Sequence, residues 1–294
     1  MLMDQTLIYI FLVIFGLMTG SFAGASVWRL RARQLVEDKN LGEEIDKNEY
    51  KKLVPLIKTT FTTDRSHCLH CGHVLAWYDL IPLISWLSTG GKCRYCHKNI
   101  GWFEFLIEAA MAFFFVISYL LWPVVIMDAS EILRFLLWLL AGGMLAILFT
   151  YDLKWFLLPN RVIFPFIAIS FLFAILSLLK APDISWALLS LLLAVFILSG
   201  LYFILWIASK GAWVGFGDVK LGLGLALLLG KWQLAFLALF AANIIGCIIV
   251  IPGLVAGKVG RQTRVPFGPL LIAGALVAML GGEAIIAWYF MTFA

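Results

Sequence analysis

Gly215-Phe216-Gly217-Asp218 lies between two long apolar runs, and the rest of the chain is organised around it. An acidic side chain at the edge of a membrane span is costly to remove from water, which makes Asp218 a candidate functional residue. The two glycines allow the backbone to leave helical geometry and allow a substrate strand to approach closely. A second acidic residue, Asp152, ends another apolar run. Either Asp alone is more simply a solvated interfacial charge, so the question is whether the two carboxylates face each other.

The composition is that of a polytopic membrane protein. Of the 294 residues, 63% are hydrophobic and only 13% are charged, and the mean hydropathy is +0.99. A soluble domain of this size carries about 25% charged residues. The first apolar run continues to about Trp28 without a basic leader ahead of it, so we expect a retained first span and not a cleavable signal peptide.

The apolar runs predict an all-α polytopic membrane protein with about eight transmembrane helices. The sixth run is too short to cross a bilayer alone, which takes about 20 residues. It is rich in glycine, and this predicts a helix enclosed by closely packed neighbours. The spans are expected at residues 5–28, 103–123, 131–151, 162–179, 184–208, 219–230, 233–256 and 267–291.

The positions of Lys and Arg predict the orientation in the membrane. With eight spans, nineteen of the 22 basic residues fall on one side, in segments 29–102, 152–161, 209–220 and 257–266. Basic loops face the cytoplasm, so this side is cytoplasmic and both termini lie outside. The same rule places Asp152 and Asp218 at the cytoplasmic face, which is the first physical reason to pair them.

Three regions follow from this pattern: a first transmembrane helix at 1–28, a cytoplasmic domain at 29–102, and a seven-helix membrane domain at 103–294. The residues from Arg29 to Arg65 mix charges of both signs, and they predict one or two short solvated helices broken near Pro55. Nothing in them requires chemistry. The lipid bilayer is the expected environment, and no nucleic-acid partner is expected.

The second half of the cytoplasmic domain carries a metal-ligand pattern. Cys68-x2-Cys71 and Cys93-x2-Cys96 are separated by 21 residues, close to the spacing of a structural zinc site within a small module at 66–98. A pair of disulfides is the competing interpretation, and a reducing cytoplasm disfavours it. Four thiolates leave no open position on the metal, so the zinc is expected to be structural. All four histidines lie nearby, and their spacing suits the surface of zinc knuckles better than ligand positions.

Three further features of the sequence are relevant. Residues 77–87, with two tryptophans and a proline, fit either a hairpin lying on lipid headgroups or a small core around the metal.

Glu104 and Glu108 lie one turn apart at the start of the second span and share one helix face. An acidic residue at a helix N-terminus is stabilised by the helix dipole, and this gives Glu104 a structural explanation. Glu108 lies one turn deeper, where that explanation is weaker. Cys247 lies in an apolar run and is expected in the core.

Taken together and in order, the motifs resemble those of the type IV prepilin peptidase family. They are Gly20-Ser21-Phe22, the paired cysteines, the run Asp79-Leu80-Ile81-Pro82-Leu83-Ile84-Ser85-Trp86-Leu87, Asp152 followed by Leu158-Pro159, Gly215-Phe216-Gly217-Asp218-Val219-Lys220-Leu221, and Pro266-Phe267-Gly268-Pro269. The match runs through nearly the whole chain and is specific, whereas a lone Gly-x-Gly-Asp would be weak.

The resemblance implies an integral-membrane aspartic endopeptidase of the bacterial cytoplasmic membrane, with Asp152 and Asp218 as catalytic residues and Gly215 and Gly217 in support. The implied substrates are prepilin-like proteins with a short basic leader, cut after a glycine just ahead of a hydrophobic helix. Many members also methylate the new N-terminus from S-adenosylmethionine.

The sequence departs from the family pattern at three places. Ala23-Gly24 follow Gly20-Ser21-Phe22, where the family usually has Leu-Asn. Phe103-Glu104-Phe105 precede Leu106-Ile107-Glu108, where the family tends to have Arg-Tyr-Pro before Leu-Val-Glu. Asn160 replaces an Asp after Leu158-Pro159. All three lie outside the two catalytic motifs. Some fall in segments associated with methylation, so they bear on that activity more than on proteolysis.

A dyad mechanism follows if the two aspartates meet. Two carboxylates held close together cannot both ionise cheaply, so the pair shares one proton and titrates as a unit. The ionised Asp then takes a proton from water, and the other donates to the peptide carbonyl oxygen. The cytoplasmic loops are themselves basic and would repel a basic leader. An acidic residue is therefore expected to contact the leader, with Glu104 or Glu108 as the candidates.

Other functions fit parts of the pattern. Tyr151-Asp152 with the Gly-x-Gly-Asp motif also resembles signal-peptide-peptidase proteases, which would cut within the span. Glycine-interrupted helices with acids also mark transporters, but no internal repeat is evident and the acids lie at one membrane face. A non-enzymatic zinc-ribbon scaffold would tolerate Asn at positions 152 and 218.

Overall fold

The computed structural model describes residues 2–57, 65–257 and 265–293. Within these ranges the chain forms eleven α-helices and no β-strand, which confirms the predicted all-α fold class. The chain divides into two compact units, an N-terminal unit, Met1–Tyr119, and a C-terminal unit, Leu120–Ala294. Most of the predicted basic loop at 257–266 and part of the segment 29–102 lie outside the described residues.

The N-terminal unit contains α1 (Leu2–Asn40), α2 (Lys47–Leu53), α3 (Ile84–Ser88) and α4 (Phe103–Leu120). The C-terminal unit contains α5 (Ala129–Trp155), α6 (Asn160–Leu179), α7 (Ile184–Val195), α8 (Leu201–Ser209), α9 (Phe216–Leu229), α10 (Trp232–Val255) and α11 (Phe267–Phe293). A single π-helical turn, Phe196–Gly200, joins α7 to α8 into one apolar segment.

Seven helical segments of the described residues are long and apolar enough to cross a membrane: α1, α4, α5, α6, the joined α7 and α8, α10 and α11. The predicted short span is α9, which has 14 residues, nine of them buried. Its glycines allow close packing: a Cβ at Gly222 would lie 1.8 Å from the Leu198 carbonyl oxygen, and one at Gly224 would lie 2.3 Å from the Phe166 ring. The helix is therefore enclosed by its neighbours, as its composition indicated.

The first helix is longer than the sequence suggested. The residues after Trp28 do not form a separate short helix but continue α1 to Asn40. No Gly or Pro interrupts this stretch, and Ala32 and Leu35, spaced one turn apart, are buried against Leu53 of α2. The break near Pro55 is as predicted, because that residue lies in a short 3-10 turn after α2.

Two glycines set the packing of α1 against α4. A Cβ at Gly16 would lie 2.7 Å from the Ala112 Cα atom, and one at Gly20 would lie 2.6 Å from the Glu108 Cα atom. Distances this short mean that the two backbones approach as closely as helices can, which only a row of small residues permits. The spacing of Gly16 and Gly20 by four positions was a readable signal of this helix pair.

A charged cluster joins α5 to α6 at the ends far from Asp152. Lys180 after α6 donates to Asp128 at 2.8 Å and to Glu131 at 2.8 Å, and Arg134 donates to Glu131 at 2.8 Å. Asp128 also caps α5 by accepting from the Glu131 backbone N–H. The hydrogen bond from Lys180 lowers the pKa of Asp128 to about 2. Glu131 is buried, and its charge is balanced by two cations.

Candidate functional site

Asp152 lies in the last turn of α5, with its side chain almost fully buried. Its Oδ2 atom accepts a hydrogen bond of 3.1 Å from the backbone N–H of Gly268, 116 residues further along the chain. Gly268 is in the first turn of α11, where backbone N–H groups have no partner within the helix and the helix dipole favours negative charge. The N-terminus of α11 therefore holds this carboxylate.

Gly268 has to be glycine for this contact to exist. A Cβ at this position would lie 2.7 Å from Asp152 Oδ2 and 3.3 Å from its carboxyl carbon. The same Cβ would lie 3.5 Å from a methyl group of Leu221 on α9. The segment Pro266-Phe267-Gly268-Pro269 thus contacts both the helix that carries Asp152 and the helix that carries Asp218.

Asp218 is the third residue of α9. Its carboxyl group accepts a backbone hydrogen bond from Gly215, the residue that caps the helix, and its own N–H donates to the Gly215 carbonyl oxygen at 3.1 Å. This is half of a capping box, in which an acidic side chain reaches back to the cap. Local backbone therefore fixes the position of Asp218, just as a helix N-terminus fixes Asp152.

The structure places the two predicted aspartates within range of electrostatic interaction. The charge on Asp152 acts on the carboxyl group of Asp218, although the two residues lie on different helices. Asp152 lies in the last turn of α5 and Asp218 in the first turn of α9, so each carboxylate is positioned near a helix terminus. Both residues belong to the C-terminal unit.

The glycines of the motif have ordinary backbone angles, and Gly217 packs closely against a neighbouring side chain. Gly215 has the extended angles φ −75° and ψ 145°, and Gly217 lies within α9. A Cβ at Gly217 would lie 3.1 Å from two side-chain atoms of Leu158. The space beside Gly217, expected to be open for a substrate strand, is filled by Leu158 of the Leu158-Pro159 motif. This contact ties the loop after α5 to the first turn of α9.

The four motif cysteines form a second cluster, in the N-terminal unit. The Sγ atoms of Cys68, Cys71, Cys93 and Cys96 all lie within 4.8 Å of one another, and those of Cys68 and Cys96 are 3.9 Å apart. Tetrahedral zinc with Zn–S bonds of about 2.3 Å places sulfurs about 3.8 Å apart. A disulfide needs about 2.05 Å, and all five cysteines are free thiols. The donor set fits a metal ion held by four sulfurs.

The two halves of the module have the same backbone design. The N–H of Cys68 donates to the His73 carbonyl and that of Gly72 to the Cys68 carbonyl, each at 2.9 Å. The second half repeats both bonds around Cys93, with His97 in the position of Gly72. Both residues at that position have positive φ, +71° for Gly72 and +55° for His97. Each turn points two sulfurs inward, and no histidine belongs to the sulfur cluster.

The segment between the Cys pairs is partly core and partly exposed. Trp86 packs against Trp102 and Phe105, with ring centroids 4.5 Å and 4.9 Å away, whereas Trp77 is 76% exposed. Asp79 ties the segment to the second knuckle by accepting from Arg94 at 2.9 Å and from Tyr95 at 3.0 Å. Burial opposes ionisation of Asp79, but these hydrogen bonds hold its pKa below the usual value.

Glu104 and Glu108 lie on one face of α4, as predicted. Glu104 accepts from the indole N–H of Trp28 at 3.2 Å, and Glu108 accepts from the backbone N–H of Leu83 at 2.8 Å. Glu108 is buried and also bonds the hydroxyl of Ser21. Both acids line a cavity of about 330 Å³ within the N-terminal unit. The sequence alone gave no indication of this cavity.

Two family models match the chain in order: the bacterial peptidase A24 N-terminal domain at residues 14–122 and the type IV leader peptidase family at residues 138–251. A prepilin leader peptidase/N-methyltransferase of Bacillus subtilis is 30% identical over 233 residues, covering 76% of this chain and 85% of the relative. The chain belongs to the type IV leader peptidase family. The protein of the same name from Aeromonas hydrophila is 28% identical over 291 residues, covering 95% of this chain and 93% of the relative. No solved structure matches the chain.

Membership of the type IV leader peptidase family confirms the resemblance derived from the motifs. The leader peptidase model contains both Asp152 and Asp218, and the N-terminal model contains all four motif cysteines. The two models therefore follow the division of the structure into two units. Gly268 lies beyond the end of the second model, although it contacts Asp152 directly.

Two contacts near the carboxylates of this family member were not predicted from the sequence. Tyr202 of α8 is buried, interacts electrostatically with Asp218 and lies with its ring centroid 5.2 Å from that of Phe267. Lys220 donates to Asn160 at 2.7 Å, so the Asn that departs from the family pattern has a partner in the Gly-x-Gly-Asp segment. For Tyr202, the one available indication in the sequence was the presence of a tyrosine within an apolar span.

Cys247 is not in the core. It was expected to be buried because α10 is apolar throughout, but its side chain is exposed on the surface of that helix. A transmembrane helix can be apolar on every face, because lipid accepts the outward side chains that water would reject. Apolar character alone therefore does not separate core from lipid-facing positions in this protein.

Proposed function

We propose that this protein is an aspartic endopeptidase of the bacterial cytoplasmic membrane, with Asp152 and Asp218 as its catalytic pair. The proposal rests on one observation: two carboxyl groups, each costly to bury within a membrane protein, lie within range of electrostatic interaction. Each is held by backbone N–H groups at a helix terminus, and the two interact with each other. Intramembrane acids are expensive and are kept for function. The names of the relatives point to the same reaction, cleavage of a leader peptide.

The hydrolytic mechanism follows from one proton shared by the pair. The ionised carboxylate removes a proton from a water molecule, whose oxygen then attacks the peptide carbonyl carbon. The protonated carboxyl group donates its hydrogen to the carbonyl oxygen, which develops negative charge as the C–N bond weakens. The leaving amine takes a proton when that bond breaks. The N–H of Gly268 holds Asp152 in position through these steps and limits its loss of solvation.

The substrate class and the orientation are part of the proposal. The names of the relatives point to prepilin leaders as the substrate. The resemblance of the motifs to the family implies a cut after a glycine, between a short basic leader and a hydrophobic helix. The excess of Lys and Arg in the predicted cytoplasmic segments supports an active site and a cysteine module on the cytoplasmic side, with both termini outside. A cut at the inner leaflet would release the leader into the cytoplasm.

Zinc is the metal that best fits the cysteine module. Cys68, Cys71, Cys93 and Cys96 would hold it, and their sulfur separations suit a tetrahedral ion of this size. A closed shell of four thiolates leaves no position for a substrate, so the ion would stabilise the fold of the module. Because the module buries few apolar side chains, metal binding would supply much of its folding free energy.

The relatives are also named as N-methyltransferases, and we propose that this chain methylates the N-terminus that it exposes. S-adenosylmethionine would supply the methyl group for the amine, and S-adenosylhomocysteine and one proton would be the other products. Peptide hydrolysis has to come first, because the amine is the leaving group of that reaction.

The test is cleavage of a purified prepilin-like substrate by the full-length protein in detergent micelles, followed by intact mass spectrometry. Asp152→Asn and Asp218→Asn are each expected to lower cleavage at least about 1,000-fold, since either change removes the shared proton. The matched control is Asp183→Asn, which caps α7 far from the site, because Asn caps helices about as well as Asp.

The products of the same assay separate the competing functions. A cut after the leader glycine supports the proposal, and a cut within the hydrophobic segment would identify a signal-peptide-peptidase activity. Retained cleavage in both Asn variants would contradict an aspartic mechanism. An extra methyl group, seen only when S-adenosylmethionine is present, would report the second activity independently of the first.

A further inference from the structure

The apolar segment that ends in α8 runs antiparallel to α9 and contacts it at two levels. Near the start of α9, Phe216 packs against Trp206 of α8, with ring centroids 5.0 Å apart. One turn further into α9, the Val219 carbonyl oxygen accepts a hydrogen bond of 2.9 Å from the Ser199 hydroxyl. Ser199 belongs to the π-helical turn Phe196–Gly200, and such turns inside helices are frequent at functional sites. The residues between the two contacts on one helix therefore lie level with those between them on the other.

Tyr202 and Asp218 occupy these intermediate positions. The charge of Asp218 acts on the Tyr202 side chain, in agreement with the order of the contacts. On its other side, the Tyr202 ring lies with its centroid 5.2 Å from that of Phe267. The residue after Phe267 is Gly268, whose N–H donates to Asp152. Tyr202 therefore lies next to the segments that hold both carboxyl groups.

The hydroxyl group of Tyr202 has no hydrogen-bond partner among the residues that the structure describes. The side chain is only 7% exposed. A buried polar group without a partner is costly and rare in native proteins, so it requires an explanation. A phenylalanine would pack against Phe267 without that cost, and packing therefore does not account for a tyrosine at this position. A substrate that reaches the aspartates would supply the missing partner.

We propose that Tyr202 is a third catalytic residue, whose hydroxyl donates a hydrogen bond to the carbonyl oxygen of the peptide bond that is cut. The assignment rests on the peptidase function proposed above. The carbonyl oxygen becomes negative when water attacks, and its lone pairs accept two donors, of which the protonated aspartate is one. Tyr202 is the second donor and keeps its own proton throughout. It stabilises the developing charge in the way that an oxyanion hole does.

Two other roles compete for Tyr202. A structural tyrosine would act through its ring against Phe267, and its hydroxyl would contribute nothing. A positioning tyrosine would hydrogen-bond Asp218 and act through the aspartate pair. The geometry favours the peptide carbonyl oxygen over Asp218, because that carboxyl group is already held by the Gly215 backbone and no hydrogen bond joins it to Tyr202 in the described part of the chain.

The test is steady-state kinetics of the full-length protein in detergent micelles with a prepilin-like substrate and no S-adenosylmethionine. Tyr202→Phe removes only the hydroxyl group. It is expected to lower kcat about 100-fold, the effect of losing one oxyanion donor, with little change in KM and in the pH profile of kcat. The matched control is Tyr289→Phe, which removes a hydroxyl from an exposed tyrosine near the end of α11, and wild-type kinetics are expected.

Three results with Tyr202→Phe would overturn the assignment. A wild-type kcat would mean that only the ring of this residue matters. A loss confined to KM would assign the hydroxyl to binding of the uncleaved substrate. A displaced pH profile would show that the hydroxyl acts through the aspartate pair and not on the carbonyl oxygen.

A second variant decides the question should Tyr202→Phe fail to fold. Ser199→Ala removes the hydrogen bond that fixes this segment to α9 one residue after Asp218. It is expected to lower kcat about tenfold, because small displacements in an active site reduce the rate steeply, and a wild-type kcat would contradict the role of Tyr202. Asp218→Asn separates the two proposals. If it abolishes cleavage and the change at Tyr202 does not lower it, only the role of Tyr202 is refuted, whereas cleavage that persists in Asp218→Asn refutes the aspartic mechanism itself.

Discussion

The cysteine module and the aspartate pair are both small polar clusters, but they are assembled in opposite ways. Each half of the module is a tight turn whose hydrogen bonds join residues four or five positions apart, and the spacing of the cysteines places the sulfurs. The aspartates are brought together by helix packing, with one key contact spanning 116 residues. The comparison teaches that local spacing can specify a metal site, whereas a catalytic pair on separate helices depends on the whole unit.

The largest expected effect tests whether the module depends on its sulfurs. Cys93→Ser removes one of the two buried ligands and is expected to lower bound zinc to less than half and to unfold the module, because structural zinc contributes about 10 kcal/mol or more to such folds. Metal content by mass spectrometry and susceptibility to limited proteolysis measure the two effects. Cys247→Ser is the matched control, since that thiol is exposed and far from the cluster in sequence. Full zinc content in the Cys93 variant would show that the sulfurs do not hold the ion.

The next effect tests the long-range contact in the C-terminal unit. Gly268→Ala places a methyl group 2.7 Å from Asp152 Oδ2, so the carboxylate has to move and lose its N–H partner. Displacements of about 1 Å in an active site cost about 100-fold in rate, and we expect a loss of that size in kcat. Gly281→Ala on the same helix is the control, because its Cβ would meet only Ile285 at 3.8 Å. Equal activity of the two variants would show that the N-terminus of α11 does not position Asp152.

A third change compares two glycines on one helix of the N-terminal unit. Gly20→Ala is expected to destabilise the unit by about 1–3 kcal/mol, since its Cβ would lie 2.6 Å from a backbone atom of α4. At Gly24 the nearest atom would be the end of the Ile107 side chain at 3.5 Å, an ordinary contact. Gly24→Ala should therefore be neutral or slightly stabilising. Unfolding in graded detergent mixtures, followed by circular dichroism, would compare them, and equal midpoints would contradict the close approach of α1 and α4.

The smallest effect concerns backbone strain in the second knuckle. His97 has φ +55°, which glycine adopts freely and which costs other residues about 1 kcal/mol. His97→Gly copies Gly72 of the first knuckle and is expected to stabilise the module by less than about 1 kcal/mol. The midpoint of zinc removal by a chelator measures this. A lower midpoint would mean that His97 has a role in the module beyond occupying the turn.

The sequence predicted more of the fold than of the surroundings of the site. Long apolar runs specified the spans, and the short glycine-rich run was correctly predicted to be an enclosed helix. The same reasoning ended α1 too early, because polar residues after Trp28 were taken as a break although Ala32 and Leu35 continue a buried stripe. It also placed Cys247 in the core, because hydropathy does not distinguish lipid from protein as a neighbour.

By itself, the sequence determined that the chain is a helical membrane protein and that four cysteines form one cluster. It also predicted that Asp152 and Asp218 form a pair. These conclusions depend on composition, short spacings and the cost of an acid in lipid, all of which are local properties. Only the tertiary structure decided that Gly268 holds Asp152, that Leu158 fills the space beside Gly217 and that Glu108 lines a cavity. Such contacts depend on which helix faces pack together, and packing is a property of the whole unit that no short stretch of sequence specifies.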